Sequence, residues 1–117
     1  METREFLEEK FLNFAVRIVK LYKYLAEDKK EYVISKQLLR CGTSIGANFA
    51  EAQYAISNND FLAKTYIALK ETNETIYWLK LLYRSEVLSQ QEYESIYKDC
   101  QQLLKLLISI TKKIKEK

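Results

Sequence analysis

The sequence predicts an all-α protein, a single domain over residues 1–117 that forms an antiparallel, up-down-up-down four-helix bundle. The chain contains no proline and only two glycines, so few positions favour a tight turn. Four segments repeat apolar residues with the spacing of a helix, and short polar segments separate them. Long helices joined by short connections must run antiparallel to their neighbours.

Each predicted helix contains apolar residues at steps of three and four, which is the heptad spacing of bundles. These residues extend over 7–25, 34–56, 62–83 and 93–114, and Asn73 interrupts the third segment. We expect helices of about 25 residues, each about 37 Å long. The predicted core residues of the third helix are Leu62, Tyr66, Leu69, Ile76, Leu79 and Tyr83.

The breaks between the segments contain helix-capping signals. Residues 27–31 form a charged loop, and residues 84–86 end the third segment. Residues 57–60 combine turn formers with N-cap residues. Ser89 and Glu92 have the spacing of a capping box, which predicts the start of the fourth helix.

The residue types argue against catalysis. Histidine is absent, which removes the commonest general base and transition-metal ligand. Cys41 and Cys100 lack metal-type spacing and fall at apolar positions, so we expect buried, reduced thiols, with a bridge between them left open. We therefore predict that the protein is not an enzyme and has no metal or cofactor.

No feature of the sequence indicates a membrane protein. The first residues lack the basic-then-apolar order of a signal peptide, and no apolar run approaches the roughly 20 residues of a membrane span. By elimination, we expect a cytoplasmic protein.

The excess of positive charge is local. The chain has 19 Lys and Arg against 16 Asp and Glu, and residues 112–117 alone contribute four Lys and one Glu. Lys112, Lys113 and Lys115 either complement the negative end of the last helix or contact the phosphates of a nucleic acid. On the first helix, a basic face with a tyrosine is consistent with RNA contact or with a solvated surface: Lys10, Asn13, Arg17, Lys20 and Tyr24.

The second helix has two unusual edges beside its core face. Gly42, Gly46 and Ala50 are four residues apart and predict a close helix contact, either inside the bundle or between subunits. A polar ladder follows the other edge, and it is either a binding site or a network that fixes helix register. The ladder consists of Gln37, Arg40, Ser44, Asn48 and Glu51.

The third helix offers a possible partner surface. Its members are predicted to lie opposite the core residues of that helix, where an exposed tryptophan indicates a protein contact. Plain solvated charges are the other interpretation of its glutamates. The residues are Lys64, Ile67, Glu71, Glu74 and Trp78.

Residues 35–52 resemble the hallmark of a bacterial family, the four-helix bundle or 23S rRNA intervening-sequence proteins. The hallmark reads roughly Gln-Leu-x-Arg, a few small residues, then Ser-Ile-x-x-Asn-Ile-x-Glu. Phe49 replaces the usual isoleucine, and Gly46 stands where many members have proline. The resemblance extends to residues 14–19 and 68–79. The hallmark positions here are Gln37, Leu38, Arg40, Ser44, Ile45, Asn48 and Glu51.

The resemblance implies a bundle that assembles as a homopentameric ring and has no established enzymatic activity. Some members are encoded within insertions in large-subunit ribosomal RNA genes. A related branch, the accessory proteins of diversity-generating retroelements, binds nucleic acid and a reverse transcriptase.

Two functions follow as hypotheses. The first is a non-enzymatic oligomer that binds RNA or DNA, in which the ring multiplies a modest charge per chain. The alternative is a protein-interaction scaffold or accessory subunit, for example of a reverse transcriptase. The polar ladder lacks the nucleophile and base that an enzyme would need.

Overall fold

The computed structural model describes residues 3–116, and the last lysine of the basic tail, Lys117, lies outside the described residues. Four helices follow one another: α1 (Arg4–Glu27), α2 (Ile34–Ala52), α3 (Asn58–Arg84) and α4 (Gln90–Lys115). The described residues contain no strand, and they form a body of 46 × 21 × 21 Å. The predicted all-α, four-helix bundle is confirmed.

Pairs of residues across the helices show that neighbours run antiparallel. On α2, Gly42 lies against Ile18 of α1, whereas the later Gly46 lies against the earlier Phe11. The same reversal relates α2 to α3 and α3 to α4. The pairs are Arg40 with Glu74 and Glu51 with Lys64, then Thr72 with Cys100 and Tyr83 with Tyr93.

Side-chain caps fix where the helices begin. The Ser57 hydroxyl accepts a hydrogen bond from the Asp60 N–H, and Ser89 and Glu92 form the predicted capping box. At the start of α2, the Glu31 carboxylate accepts hydrogen bonds from the N–H groups of Ile34 and Ser35. This upstream glutamate serves where the N-cap residue itself has no capping side chain.

The second helix is shorter than predicted. It has 19 residues and ends at Ala52, where the N–H groups of Gln53 and Tyr54 turn back to carbonyls three residues earlier. Ile56, which continued the apolar pattern, lies in the following loop with 94% of its surface exposed. Its inclusion in the predicted helix was wrong.

The core of α3 was also predicted incorrectly, because threonines occupy half of its buried heptad positions. Thr65, Thr72 and Thr75 are fully buried, and each hydroxyl donates to the carbonyl oxygen four residues earlier at 2.8 Å. A threonine satisfied in this way presents its methyl group to the core. Of the apolar residues expected in the core, Tyr66 is exposed, whereas Leu69 and Ile76 are partly buried and pack against the core. The buried heptad positions are Thr65, Ala68, Thr72, Thr75, Leu79 and Leu82, and Glu71 is buried beside them.

Both cysteines are buried and free, as predicted for their position. Among the described residues, no Cα atom of α2 lies within 8 Å of one in α4, so Cys41 and Cys100 are too far apart for a disulfide. Burial raises the pKa of Cys41 to about 11 and that of Cys100 to about 12. Neither thiol is therefore ionised near neutral pH.

Candidate functional site

The polar ladder of α2 meets the charged face of α3 in one cluster centred on Arg40. The Arg40 guanidinium forms an ion pair with Glu74 and lies 3.6 Å from a carboxylate oxygen of Glu71. The Trp78 indole N–H donates to the same Glu74 carboxylate at 3.0 Å. We call Arg40, Glu71, Glu74 and Trp78 the Arg40 cluster.

The cluster keeps Glu74 ionised. The hydrogen bond from Trp78, together with the nearby Arg40 charge, lowers the pKa of Glu74 despite its partial burial. Glu74 in turn raises the pKa of Arg40 through their hydrogen bond. The group can hold α2 and α3 in register, and the lowered pKa of Glu74 makes its carboxylate a weaker base.

The predicted outer face of α3 is wrong for two of its residues. Glu71 is 9% exposed and Trp78 is half-buried, because this side of α3 packs against α2 rather than facing away from the bundle. Glu74 is also half-buried, while Lys64 pairs with Glu51 of α2 at 3.7 Å. Ile67 remains 39% exposed.

The other ladder residues bond within their own helix. The Ser44 hydroxyl donates to the Arg40 carbonyl at 2.7 Å, and the Asn48 amide donates to the Ser44 carbonyl at 2.8 Å. Gln37 is exposed at the start of the ladder. These bonds leave the structural interpretation of the ladder better supported than a catalytic one.

The side chains of residues 3–116 form no cluster that could hold a metal ion. No three His, Cys, Asp or Glu side chains lie close enough to share a metal ion. The Cys41 thiol is 3.2 Å from the Thr75 hydroxyl, but its raised pKa makes it a poor nucleophile. None of the described helices is long and apolar enough to cross a bilayer.

The small-residue row of α2 brings α1 and α2 close together. A Cβ atom on Gly42 would lie 2.8 Å from the Ile18 side chain, and one on Gly46 would lie 3.3 Å from Phe11. The close contact was predicted either inside the bundle or between subunits, and these glycines make it inside the bundle. Ala50, at the end of the row, is exposed.

Beside this row, α1 and α2 present a surface without charged residues at its centre. It is formed by Leu12, Val16 and Val19, which are 58%, 45% and 37% exposed, and by the exposed Ala47 and Ala50. A groove of about 520 Å³ opens on it, with Phe11 and Phe49 among its lining residues. We call this surface the apolar face.

The basic residues predicted on α1 lie along the junction of α1 with α4. Arg17 forms an ion pair with Asp99 and donates to the Ser95 hydroxyl at 2.9 Å. Lys10 and Lys20 line shallow depressions on either side of Arg17. Since Arg17 already has an anionic partner, this junction is a weaker anion site than its composition indicates.

Of the predicted tail, Lys112, Lys113 and Lys115 are all exposed. Lys115 extends over the ring of Tyr66 on α3, with its Nζ atom 5.1 Å from the ring centre. Lys113 follows Asp99 by two heptads, and so lies on the α1 side of α4.

A further concentration of positive charge covers the outer surface of α3 and α4, and only its members Lys112 and Lys115 were predicted from the sequence. Its side chains are exposed, and none takes part in the ion pairs found among residues 3–116. Heptad recurrence in the sequence could have revealed it, since three of its lysines on α4 are seven residues apart. This basic face consists of Lys70, Lys80, Arg84, Lys98, Lys105, Lys112 and Lys115.

The fold and these surfaces define the class: a helical bundle whose distinctive features are a basic face and an apolar face rather than a reactive centre. The chain belongs to the family of 23S rRNA-intervening sequence proteins, whose model matches residues 7–109. No curated protein matches the chain.

A solved structure agrees with this assignment. The chain is similar to a protein of unknown function from the S23 ribosomal protein family of Bacteroides thetaiotaomicron, whose crystal structure was determined at 1.70 Å. The two share 58% sequence identity with a TM-score of 0.89, over 90% of this chain and 97% of that one.

Proposed function

We propose that the protein is a non-enzymatic, nucleic-acid-binding helical bundle that works as a homo-oligomer. The observation that carries the proposal is the basic face, in which α3 and α4 present seven exposed cationic side chains on one side of the molecule. The family's association with ribosomal RNA is consistent with such a ligand.

The arrangement of the basic face suits a polyanion. Lys98, Lys105 and Lys112 are one heptad apart, about 10 Å along α4 at the rise of a helix. Lys70 and Arg84 continue the charge on α3, and Lys115 joins the two helices through its contact with Tyr66. Exposed cations with no carboxylate partner release the counterions of bound phosphates without first breaking an ion pair.

Charge removal on the basic face tests the proposal. The triple variant Lys98→Gln, Lys105→Gln, Lys112→Gln should weaken binding to a structured RNA and to a duplex DNA. We expect the slope of log Kd against log salt to fall by about 2, since each phosphate contact contributes about 0.7 to 0.9. Fluorescence anisotropy over a series of salt concentrations measures both quantities.

A variant with the same change in net charge is the control. Lys23, Lys30 and Lys36 are exposed on the part of the molecule formed by α1, α2 and their connecting loop. Replacing these three lysines with Gln should leave the salt slope almost unchanged. If both triple variants lose the same affinity for nucleic acid, binding depends on net charge and not on the basic face.

The apolar face supports the homo-oligomer. It lies on the side of the bundle opposite the basic face. Each helix contacts only its neighbours in the cyclic order α1, α2, α3, α4, so α1 and α2 form one layer and α3 and α4 the opposite layer. A contiguous exposed apolar surface on a small protein marks an interaction site. A second copy bound there would cover Leu12 and Val16 and leave the basic face of each copy open to a ligand.

A charge placed in the apolar face tests this assembly. Val16→Glu should shift the protein to monomers in size-exclusion chromatography with light scattering, because an unpaired carboxylate would be buried in the interface. Ile56→Glu, at a loop residue with 94% exposure, introduces the same charge outside the face and should leave the oligomer intact.

The second candidate function is a protein-interaction scaffold or accessory subunit, for example of a reverse transcriptase. The groove of about 520 Å³ in the apolar face favours it, because a partner protein could fill the groove with apolar side chains. A wild-type protein that is monomeric and fails to bind nucleic acid at low salt would favour this scaffold over the oligomer.

A further inference from the structure

Aromatic and basic side chains alternate along the outer surface of α3. Tyr66, Lys70, Tyr77 and Arg84 lie on one side of the helix, directly opposite the buried residues from Thr65 to Leu82. Tyr77 is 60% exposed and Tyr66 is 38% exposed. Asn73 and Lys80 complete this stripe, and none of its members is acidic.

The two tyrosine rings are held in place by neighbours. Tyr77 packs edge-on against Trp78, with ring centres 5.1 Å apart and an interplanar angle of 75°. Trp78 is itself anchored by its hydrogen bond to Glu74. The Lys115 ammonium lies over the Tyr66 ring at 5.1 Å. The rings are eleven residues apart on one helix face, which corresponds to about 16 Å.

The chemistry of this stripe fits unpaired bases. In a duplex, the flat surfaces of the bases are covered by their neighbours, so a protein side chain reaches mainly phosphates and groove edges. In a single strand the base surfaces are free, and proteins bind them by stacking aromatic rings within a positively charged groove or surface. The basic face alone would serve either form, whereas exposed tyrosines between its cations favour the single strand.

We propose that the α3 stripe binds an unpaired segment of nucleic acid, with bases stacked on Tyr66 and Tyr77 and the adjacent phosphates contacted by Lys70, Arg84 and Lys115. This inference rests on the proposed nucleic-acid binding and specifies the form of the ligand. Lys115 would contact a phosphate beside the base on Tyr66, because its ammonium already lies next to that ring.

Removal of the two rings tests the inference. The double variant Tyr66→Ala, Tyr77→Ala should bind a short unstructured RNA about a hundredfold more weakly, since each stacked base contributes about tenfold in affinity. Binding of an RNA duplex of the same sequence should change by less than about threefold, because the double variant retains all seven cations of the basic face. Fluorescence anisotropy measures the four dissociation constants at one salt concentration.

The variant Tyr66→Phe, Tyr77→Phe is the matched control. It keeps both rings and removes only the hydroxyl groups, so it should bind the single strand like the wild type. Circular dichroism of all variants verifies the helical fold, which is expected to persist because both side chains lie outside the core.

The outcomes separate the inference from the proposed function. Selective loss of single-strand binding in the alanine variant supports both. Equal single-strand affinity of wild type and alanine variant, or a wild-type preference for the duplex, overturns the stacking inference and leaves nucleic-acid binding in place. A wild type that binds neither probe overturns the proposed function, and the inference with it.

Discussion

Arg40 connects two helices through one carboxylate that also accepts a hydrogen bond from the only tryptophan of the chain. Arg40 is half exposed, so solvent screens its ion pair and the pair adds little to stability. The ion pair instead fixes the register of the two helices, because Arg40 and Glu74 meet only in one register of α2 against α3. This constraint on register accounts for a polar residue at this position of the family hallmark.

The fluorescence of Trp78 reports the charge of Glu74, because the indole N–H donates to that carboxylate. Because the pKa of Glu74 is lowered in the folded state, its contribution to stability is present above the unfolded glutamate pKa of about 4.3. The contribution is lost as the pH falls through the lower, folded value. We predict that Trp78 fluorescence of the native protein changes with a midpoint below about 4.3.

In Glu74→Gln this fluorescence change should disappear, since the amide does not titrate. Glu51→Gln, which removes a carboxylate paired with Lys64 elsewhere on α2, should retain it. A midpoint at the ordinary glutamate value, or an unchanged titration in Glu74→Gln, would contradict the geometry of the Arg40 cluster.

The buried cysteines give a second prediction at the scale of single residues. With pKa values of about 11 and about 12, both thiols are protonated at pH 8 and shielded from reagents. Modification by a disulfide reagent should therefore proceed only through unfolding and accelerate in urea together with the loss of helical circular dichroism. Fast modification of the native protein at pH 8 would show that the core opens locally around α2 or α4.

At the scale of helices, two glycines on α2 make different contributions. Gly42 faces the fully buried, β-branched Ile18, three of whose side-chain atoms would lie within 2.9 Å of an added Cβ. Gly46 faces Phe11 at a distance that an alanine nearly fits. Glycine in a helix costs about 1 kcal/mol relative to alanine, so each substitution gains that amount before any clash is counted.

We predict that Gly42→Ala destabilises the protein by up to about 2 kcal/mol, since overpacking of a core costs about 1 to 3 kcal/mol and helix propensity offsets about 1 kcal/mol of it. Gly46→Ala should stay within about 1 kcal/mol of the wild type because its smaller clash is offset by helix propensity. Urea unfolding followed by circular dichroism compares the two directly. Equal stabilities would mean that α1 and α2 are less closely packed than the structure indicates.

The helices also show which features the sequence could predict. Heptad spacing and capping residues predicted the number of helices, and the capping box at Ser89 was correct. In α3 the spacing of apolar residues did not identify the core, because it omits threonines whose hydroxyls donate to carbonyls of their own helix. Because the predicted core of α3 shared only Leu79 with the fully buried positions, Glu71 and Trp78 were expected on the outside.

Because the core of α3 was misassigned, its residues of the basic face were not predicted from the sequence. Once Thr72 and Thr75 are taken as core, the opposite side of α3 contains Lys70 and Tyr77, and the basic face becomes visible as a heptad pattern. The pairing of Arg40 with Glu74 follows from folding α2 and α3 as a hairpin about the Ser57 turn. The ion pair between Arg17 and Asp99 depends on contact between the first and last helices, which no local pattern encodes.

At the scale of the whole molecule, the two layers of the bundle have different surfaces. The α1–α2 layer presents the apolar face, and the α3–α4 layer presents the basic face. An assembly formed through the first surface would display the second several times. Weak binding per subunit would then become strong binding of one ligand by the whole oligomer.

The avidity of such an assembly can be measured. Val16→Glu, expected to be monomeric, should bind a long structured RNA at least tenfold more weakly than the oligomeric wild type, although its basic face is intact. Its affinity for a ligand short enough to contact one subunit should be unchanged. Equal weakening for both ligands would indicate a damaged fold instead of lost avidity.

The most direct test of the account is the salt dependence of nucleic-acid binding by the wild-type protein. Purified, nuclease-treated protein is titrated into a structured RNA and a duplex DNA, each at low and at physiological salt, with fluorescence anisotropy as the readout. We predict micromolar or tighter binding at low salt that weakens steeply as salt increases, as expected for a surface that replaces counterions on phosphates. Absence of binding at low salt, or an affinity that salt does not change, would contradict the assignment of the basic face as a nucleic-acid surface.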